Sequence, residues 1–313
     1  MMSVRSFFAC ALSLGLSLAL TGCEAGGDSS FATGGAGGGG SGGSGGTSAG
    51  GGGASTGGAP TTTSDTGGTT TGTPTGTTGV SCADLPLCDG FEGASAGGPP
   101  DPALWAVVSP NCSGAGTVTV DSAVAHTGNQ SLRVDGKGGY CDHVFIGHAA
   151  SVPGLGDTIF GRFHVRFSDA LGQGHTTFLA MKDAADGGKD LRMGGQNGVL
   201  MYNRESDDAT LPVMSPAGTA TSMPVAPGEW TCIEFQIDAQ AGTLHTWVNG
   251  APVAGLTLDE TPTPDIDQPW ITQKPGWKPD LEDLRLGWES YAGQSMTLWI
   301  DDVALAPQKL GCD

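Results

Sequence analysis

Residues Gly187–Pro212 read GGKDLRMGGQNGVLMYNRESDDATLP, and this stretch decides how the chain is interpreted. In Asp190-Leu191-Arg192-Met193 apolar and polar side chains alternate, as on a strand with one wet face and one dry face. Gly194-Gly195 follows, a pair that permits a bend or bulge and would aim Gln196. Lys189, Arg192, Arg204, Asp190, Glu205, Asp207, Asp208, Gln196, Asn197 and Asn203 all fall within these 26 residues. A solvated hairpin would be polar too, but a period-two strand bearing forked donors and acids on its wet face points to a ligand site.

Working outward, the same period recurs. Arg162-Phe163-His164-Val165-Arg166-Phe167 puts three basic side chains on one face and three apolar ones on the other. Strands are also expected at Thr117–Val120, Ser131–Val134, Thr177–Lys182, Thr231–Ile237, Leu284–Trp288 and Met296–Leu305. Thr243–Asn249 runs into Asn249-Gly250, a hairpin turn signal, before a further expected strand at Ala251–Leu256. No long amphipathic helix is expected. Many short strands punctuated by Gly, Pro and Asp predict an all-β domain, a sandwich or jelly roll over residues 81–313.

The chain before that domain has a different character. Arg5, the apolar run Phe7–Leu20 and then Leu20-Thr21-Gly22-Cys23 predict a signal peptide over residues 1–22. The run is short for a permanent membrane span. The Leu-x-Gly-Cys ending predicts a bacterial lipoprotein anchored in the envelope through lipid on Cys23, its one membrane contact. Residues 24–80 are almost wholly Gly, Ser, Thr and Ala, a composition that cannot offset its ordering entropy. They predict a disordered tether with an end-to-end distance of roughly 40 Å.

Of 13 Lys and Arg only Arg5 precedes residue 81, and of 32 Asp and Glu only Glu24, Asp28 and Asp65 do. The domain thus carries 12 basic against 29 acidic side chains, a formal charge of −17. Nucleic acid is excluded as a partner on that balance; a polyanionic sugar is not, given a locally basic groove. Six cysteines remain once Cys10 and Cys23 are set aside: Cys82, Cys88, Cys112, Cys141, Cys232 and Cys312. An even count in an exported chain predicts three disulfides, with every pairing open on sequence alone.

GGKDLRMGGQ and YNRESDDATLP closely resemble the core domain of the cellulose-induced (Cip-one type) proteins of cellulolytic fungi, which are similar in turn to glucuronan lyases. AHTG (Ala125–Gly128), GGYCDH (Gly138–His143), GWESYAG (Gly287–Gly293) and WIDD (Trp299–Asp302) extend the resemblance over residues 88–313. It implies a jelly roll of two antiparallel sheets, one lining a groove. It also implies disulfides Cys112–Cys141 and Cys232–Cys312, leaving Cys82–Cys88 as a local loop. A structural calcium ion is implied at Glu92, Thr127, Gln130 and Asp301, with Gln130 standing where the family has Asn. The oxygen-rich mixture suits calcium.

The resemblance further implies a polysaccharide partner, a polyuronate above all, acted on by a monomeric domain. Cleavage by β-elimination needs the uronate carboxylate neutralised, a base for the adjacent proton, and an acid for the leaving oxygen. Arg192 and Gln196 are the expected carboxylate donors, and His143 is the expected base. Tyr291 or Tyr202 is the expected acid, with roles exchangeable. Lys189, Asp190, Asn203, Arg204, Asp208, His175 and Trp288 are the expected sugar contacts. Asp190 stands where the fungal core has His, which bears on whether catalysis survives.

Two alternatives remain open on sequence. One is hydrolysis by a carboxylate pair drawn from Glu205, Asp207, Asp208, Glu234 and Glu289. The other is a non-catalytic glycan-binding module stacking sugars on Trp247, Trp270, Trp277 and Trp288.

Overall fold

The computed structural model describes residues 81–312 apart from Asn111 and Ser113; the expected signal peptide, Cys23 and tether lie outside the described residues. Fifteen strands are formed in chain order: β1 Leu87–Asp89, β2 Ala106–Val108, β3 Thr117–Asp121, β4 Ser131–Gly136, β5 Val144–His148, β6 Thr158–Phe167, β7 Thr176–Asp183, β8 Lys189–Gln196, β9 Val199–Arg204, β10 Ala209–Leu211, β11 Trp230–Asp238, β12 Thr243–Val248, β13 Ala251–Pro252, β14 Leu284–Ser290 and β15 Met296–Ala306. Two short helices, α1 (Pro216–Thr219) and α2 (Gln268–Gln273), sit in connections. No described helix is long and apolar enough to cross a membrane.

The strands make two antiparallel sheets. One runs β13-β12-β11-β6-β15-β4-β3, with β1 paired to β15; the other runs β10-β9-β8-β7-β14-β5-β2. The chain is a jelly roll, all-β with first and last strands side by side.

Alternation builds the core. In β6, Phe163, Val165 and Phe167 are buried toward the second sheet, and Phe163 and Phe167 meet Phe178 of β7 edge-on. Apolar burial of this kind is worth about 25 cal/mol per Å², and it fixes register because a one-residue slip would expose every Phe. The opposing sheet answers with Leu191, Met193, Leu200, Tyr202, Leu286 and Trp288, all essentially without exposure.

Two expectations about local structure are corrected. The strand does not bend at Gly194-Gly195: β8 stays paired to β9 through Gln196↔Val199. The turn falls at Asn197-Gly198, whose φ values of 53° and 77° suit a tight hairpin. The irregularity is opposite, in β7 between Thr177 and Leu179, where Gly194 admits the Thr176 carbonyl closer than a Cβ would allow. Nor is Ala251–Leu256 one strand. The strand covers only Ala251 and Pro252; the Val253 amide still donates to the Thr246 carbonyl, and Ala254–Leu256 then turn as a 3₁₀ segment.

Disulfides join Cys82 to Cys88, Cys112 to Cys141 and Cys232 to Cys312. The last ties the chain end to β11, where buried Glu234 also accepts hydrogen bonds from the Leu310 and Gly311 amides.

Candidate functional site

The outer face of the second sheet holds an open cavity of about 450 Å³, lined along β8 by Lys189, Asp190 and Arg192 and along β14 by Arg285 and Glu289. Register explains its composition. Gly147, Arg285, Ala180, Arg192 and Asn203 stand in one row across β5, β14, β7, β8 and β9. Two arginines therefore flank Ala180, too small to fill the floor between them. In β14 Arg285 and Glu289 line the cavity, while Leu286 and Trp288 face the core.

Arg192 Nη2 lies 3.2 Å from Glu205 Oε1, and its guanidinium rests over the Tyr291 ring at 5.6 Å. Glu205 also accepts the Asp190 amide at 2.9 Å and pairs with Lys189 Nζ at 3.4 Å. Burial pushes the Glu205 carboxyl up, but the Asp190 amide, Arg192 and Lys189 prevail and hold it below the usual range. Arg285 grips Asp190 with both terminal nitrogens and holds Asp283 at 2.9 Å. Asp190 is thus neutralised within the protein, and its repulsion of an anionic sugar is largely cancelled.

Tyr291 is 44% exposed, which leaves its ring reachable. It stacks on His175 at 5.1 Å and 21° and meets Tyr140 at 5.1 Å. Burial, then Glu289, raise the Tyr291 hydroxyl well above the ordinary phenol range, so it holds its proton. His175 is shifted the other way, first by burial and then by Arg192; its Nε2 is buried without a partner. A neutral imidazole with a free nitrogen thus stands against a firmly protonated phenol.

His143 is placed differently from its expected role as base. It is 2% exposed, its Nε2 donates to the Pro110 carbonyl at 2.8 Å, and Nδ1 lies 3.2 Å from Glu289 Oε1 outside hydrogen-bond alignment. Both nitrogens face protein, so neither is presented to the groove. Burial raises the Glu289 carboxyl, with Arg192 and His143 pulling against it.

The other expected contacts divide. Lys189, Asp190 and Arg192 line the cavity, as does Glu289 from the carboxylates set aside for hydrolysis. Asn203 follows Arg192 in the row and donates to Asp208 at 2.8 Å. Gln196 shares the face of Arg192 but lies four residues along, roughly 13 Å at strand rise, beyond the cavity lining.

Three residues must be removed from the groove. Tyr202 pairs with Met193, so it points inward, where its hydroxyl meets Thr246 of the opposite sheet at 3.2 Å. Arg204 is buried beneath, paired with Asp207 and lying over Trp270 at 4.7 Å. Trp288 crosses the sandwich to Gly136, which has no side chain in its way, and donates to the Gln294 carbonyl. Trp270 and Trp277 are buried as well, so three of the four tryptophans expected of a stacking platform are core. Arg285 and Tyr140 were not foreseen; a charged residue inside the apolar run Leu284–Leu286 was the available signal for the first.

The expected calcium ligands converge through β1–β15 pairing. Glu92 Oε1 accepts the Asn129 and Gln130 amides at 2.7 and 2.8 Å, and these hold its carboxyl low. Asp301, wholly buried, accepts the His126 and Thr127 amides through Oδ2. Burial pushes Asp301 up to about 6, and neighbouring Asp302 adds to the cost of its charge. The Gln130 amide nitrogen donates to the Phe91, Glu92 and Ala94 carbonyls, leaving its side-chain and backbone oxygens as the candidate donors. Asp301 also accepts the Asp302 amide through Oδ1; two carboxylates brought to one loop, with the Gln130 oxygens beside Glu92, are a donor set whose chemistry fits a hard cation.

Two antiparallel sheets, one bearing an open groove lined by Arg192, Arg285, their acids and the exposed Tyr140, with Tyr291 against Arg192 beside it, suit a jelly roll of the polysaccharide-lyase-like class. Residues 96–308 match the family profile described as polysaccharide-lyase-like, Cip1-like core domain, and the chain belongs to that family. A solved structure of the cellulose-induced protein Cip1 is 37% identical, with a TM-score of 0.66, covering 72% of this chain and 100% of that one. An endo-β-1,4-glucuronan lyase from the fungus Trichoderma reesei is similar at 17% identity and a TM-score of 0.44, over 68% of this chain and 94% of that one. Among curated protein sequences none matches significantly.

Proposed function

We propose that the domain is a polysaccharide lyase that cleaves a uronic-acid polymer by β-elimination in the groove of the second sheet. The observation that carries this reading is the contact of Arg192, Tyr291 and His175 on one open face. Arg192 supplies forked donors to the uronate carboxylate, whose negative charge grows as the adjacent proton leaves. His175, which burial favours in its neutral form, takes that proton as the sugar displaces the packing around its ring; Tyr291, protonated, gives one to the departing glycosidic oxygen. Glu289 lies two residues from Tyr291 and helps keep its hydroxyl protonated, and Gln196 extends the donor face toward a neighbouring sugar.

Calcium at Glu92, Thr127, Gln130 and Asp301 belongs to this reading as a structural ion away from the groove. So does export with a lipid on Cys23; three disulfides suit an oxidising compartment. A purely binding module fits less well, since a tryptophan platform is not what the groove presents. The test is ultraviolet detection of unsaturated uronate ends across a panel of polyuronates, with Tyr291→Phe and His175→Ala as controls. Their appearance with the unmodified protein and loss in both variants support the lyase; retention of polymer without unsaturated ends supports a binder.

A further inference from the structure

Away from the groove, three side chains meet on the outer face of the first sheet. His126 comes from the β3–β4 loop, His164 from β6, and Asp302 from the point where β15 shifts register against β6. One ligand atom from each residue lies within 4.8 Å of the other two. His126 Nδ1 stands 2.6 Å from Asp302 Oδ2, and His164 Nδ1 stands 3.7 Å from that same oxygen. Both Nδ1 atoms thus approach one carboxylate oxygen; the imidazoles stack at 3.7 Å and 14°, so a shared ion requires the exposed His126 ring to turn out of the stack. Trp230 meets the His126 ring edge-on, and Thr127 Oγ1 donates to the other Asp302 oxygen at 2.6 Å.

The hydrogen bonds that hold this loop down account for His126 and Asp302 but not for His164. That residue is 7% exposed, and its Nδ1 is buried with no hydrogen-bond partner. A buried polar atom without a partner is costly, and this one is aimed at the cluster. Its chemistry differs from that of the neighbouring oxygen set around Glu92 and Asp301, since calcium prefers oxygen donors alone. Two imidazole nitrogens and one carboxylate suit zinc and related first-row divalent ions, with a fourth position left for water. Exposed His126 gives such an ion a way in.

We propose that His126, His164 and Asp302 form a second cation site, specific for a zinc-class divalent ion, that clamps the β3–β4 loop onto β6 and β15. The ion takes the place of the hydrogen that His126 shares with Asp302 and gives His164 Nδ1 its partner. Thr127, bonded to the far oxygen, orients the carboxylate as outer-shell groups do at zinc sites.

The experiment titrates zinc chloride into the full chain held in excess calcium, by calorimetry, with cobalt(II) absorption as a spectroscopic check. One equivalent is expected, with affinity falling about 100-fold or more in His126→Ala and in His164→Gln, since losing a ligand outweighs the 10–100-fold typical of outer-shell changes. Because His164 is buried, a measurement on the unmodified protein accompanies the variants: peptide-resolved diethyl pyrocarbonate labelling of His126, expected to drop when zinc is added. Absence of zinc binding, zinc binding unchanged in His126→Ala, or His126 labelling indifferent to zinc would each overturn the proposal.

Discussion

Asp190→Asn separates two properties that the groove joins. Asp190 takes both terminal nitrogens of Arg285, and the two side chains are only 17% and 9% exposed. Burial works against the Arg285 charge, yet Asp190 and then Asp283 outweigh it and raise its pKa. Breaking a buried pair by removing one partner costs about 3–5 kcal/mol. Here Asp283 stays at 2.9 Å and Asn keeps one acceptor, so the expected loss is about 2–3 kcal/mol. For a domain of this size that lowers Tm by roughly 4–12 °C. The released guanidinium then stands across Ala180 from Arg192, and the groove gains a cation available to a carboxylate. The variant should therefore be less stable and yet retain polyuronate more strongly on an affinity gel, both read well below its Tm. An unchanged Tm, or weaker retention in a folded variant, would refute the assignment of Asp190 as the internal counter-ion of Arg285.

Other expectations follow from the same geometry. Burial and Arg192 lower the His175 pKa below its ordinary 6.5, so the acid limb of kcat/KM should lie below pH 6.5 if His175 is the base; a limb at or above that value would point elsewhere. Protonating His175 must also overcome the burial that depressed its pKa, so its share of stability is present above the unfolded value and is lost as pH falls through the folded one. Chelation should lower Tm through loss of a native-state ligand, and Glu92→Ala should show no such response; a melting curve indifferent to chelator would speak against the calcium site. Cys232→Ser should cost about 2–5 kcal/mol, and a near-native melting curve would show that Glu234 and its amides hold the chain end without the disulfide.

What was legible in the sequence was parity where polar and apolar residues alternate. Arg162–Phe167 is the clearest case, and its apolar half is core. Asn249-Gly250 announced its hairpin, with φ values of 49° and 78°. In β9, by contrast, Leu200-Met201-Tyr202-Asn203-Arg204 is buried throughout, so no alternation told which face Tyr202 and Arg204 take. Only pairing to β8 settles that, and it sends both away from Asn203. Trp288 was misplaced for a related reason: Gly287 on one side and Glu289 on the other hide the alternation, and the partner that admits the indole, Gly136, lies on the other sheet. His143 lost its expected role to a contact no local pattern encodes, the Pro110 carbonyl 33 residues earlier. Arg285 was overlooked because its counter-ion Asp190 is 95 residues away.

The most direct test of the central claim is product analysis after incubating the unmodified domain, with calcium present, on a glucuronan-like polymer. Chain shortening is expected with one unsaturated uronate end per cut, absent in Tyr291→Phe and strongly reduced in Arg192→Ala. Losing a positioned acid should lower kcat by about 10²–10⁴-fold. Polymer that is bound but remains intact, or cuts whose new non-reducing ends are saturated, would contradict it: the first makes the groove a binding surface, the second a hydrolase.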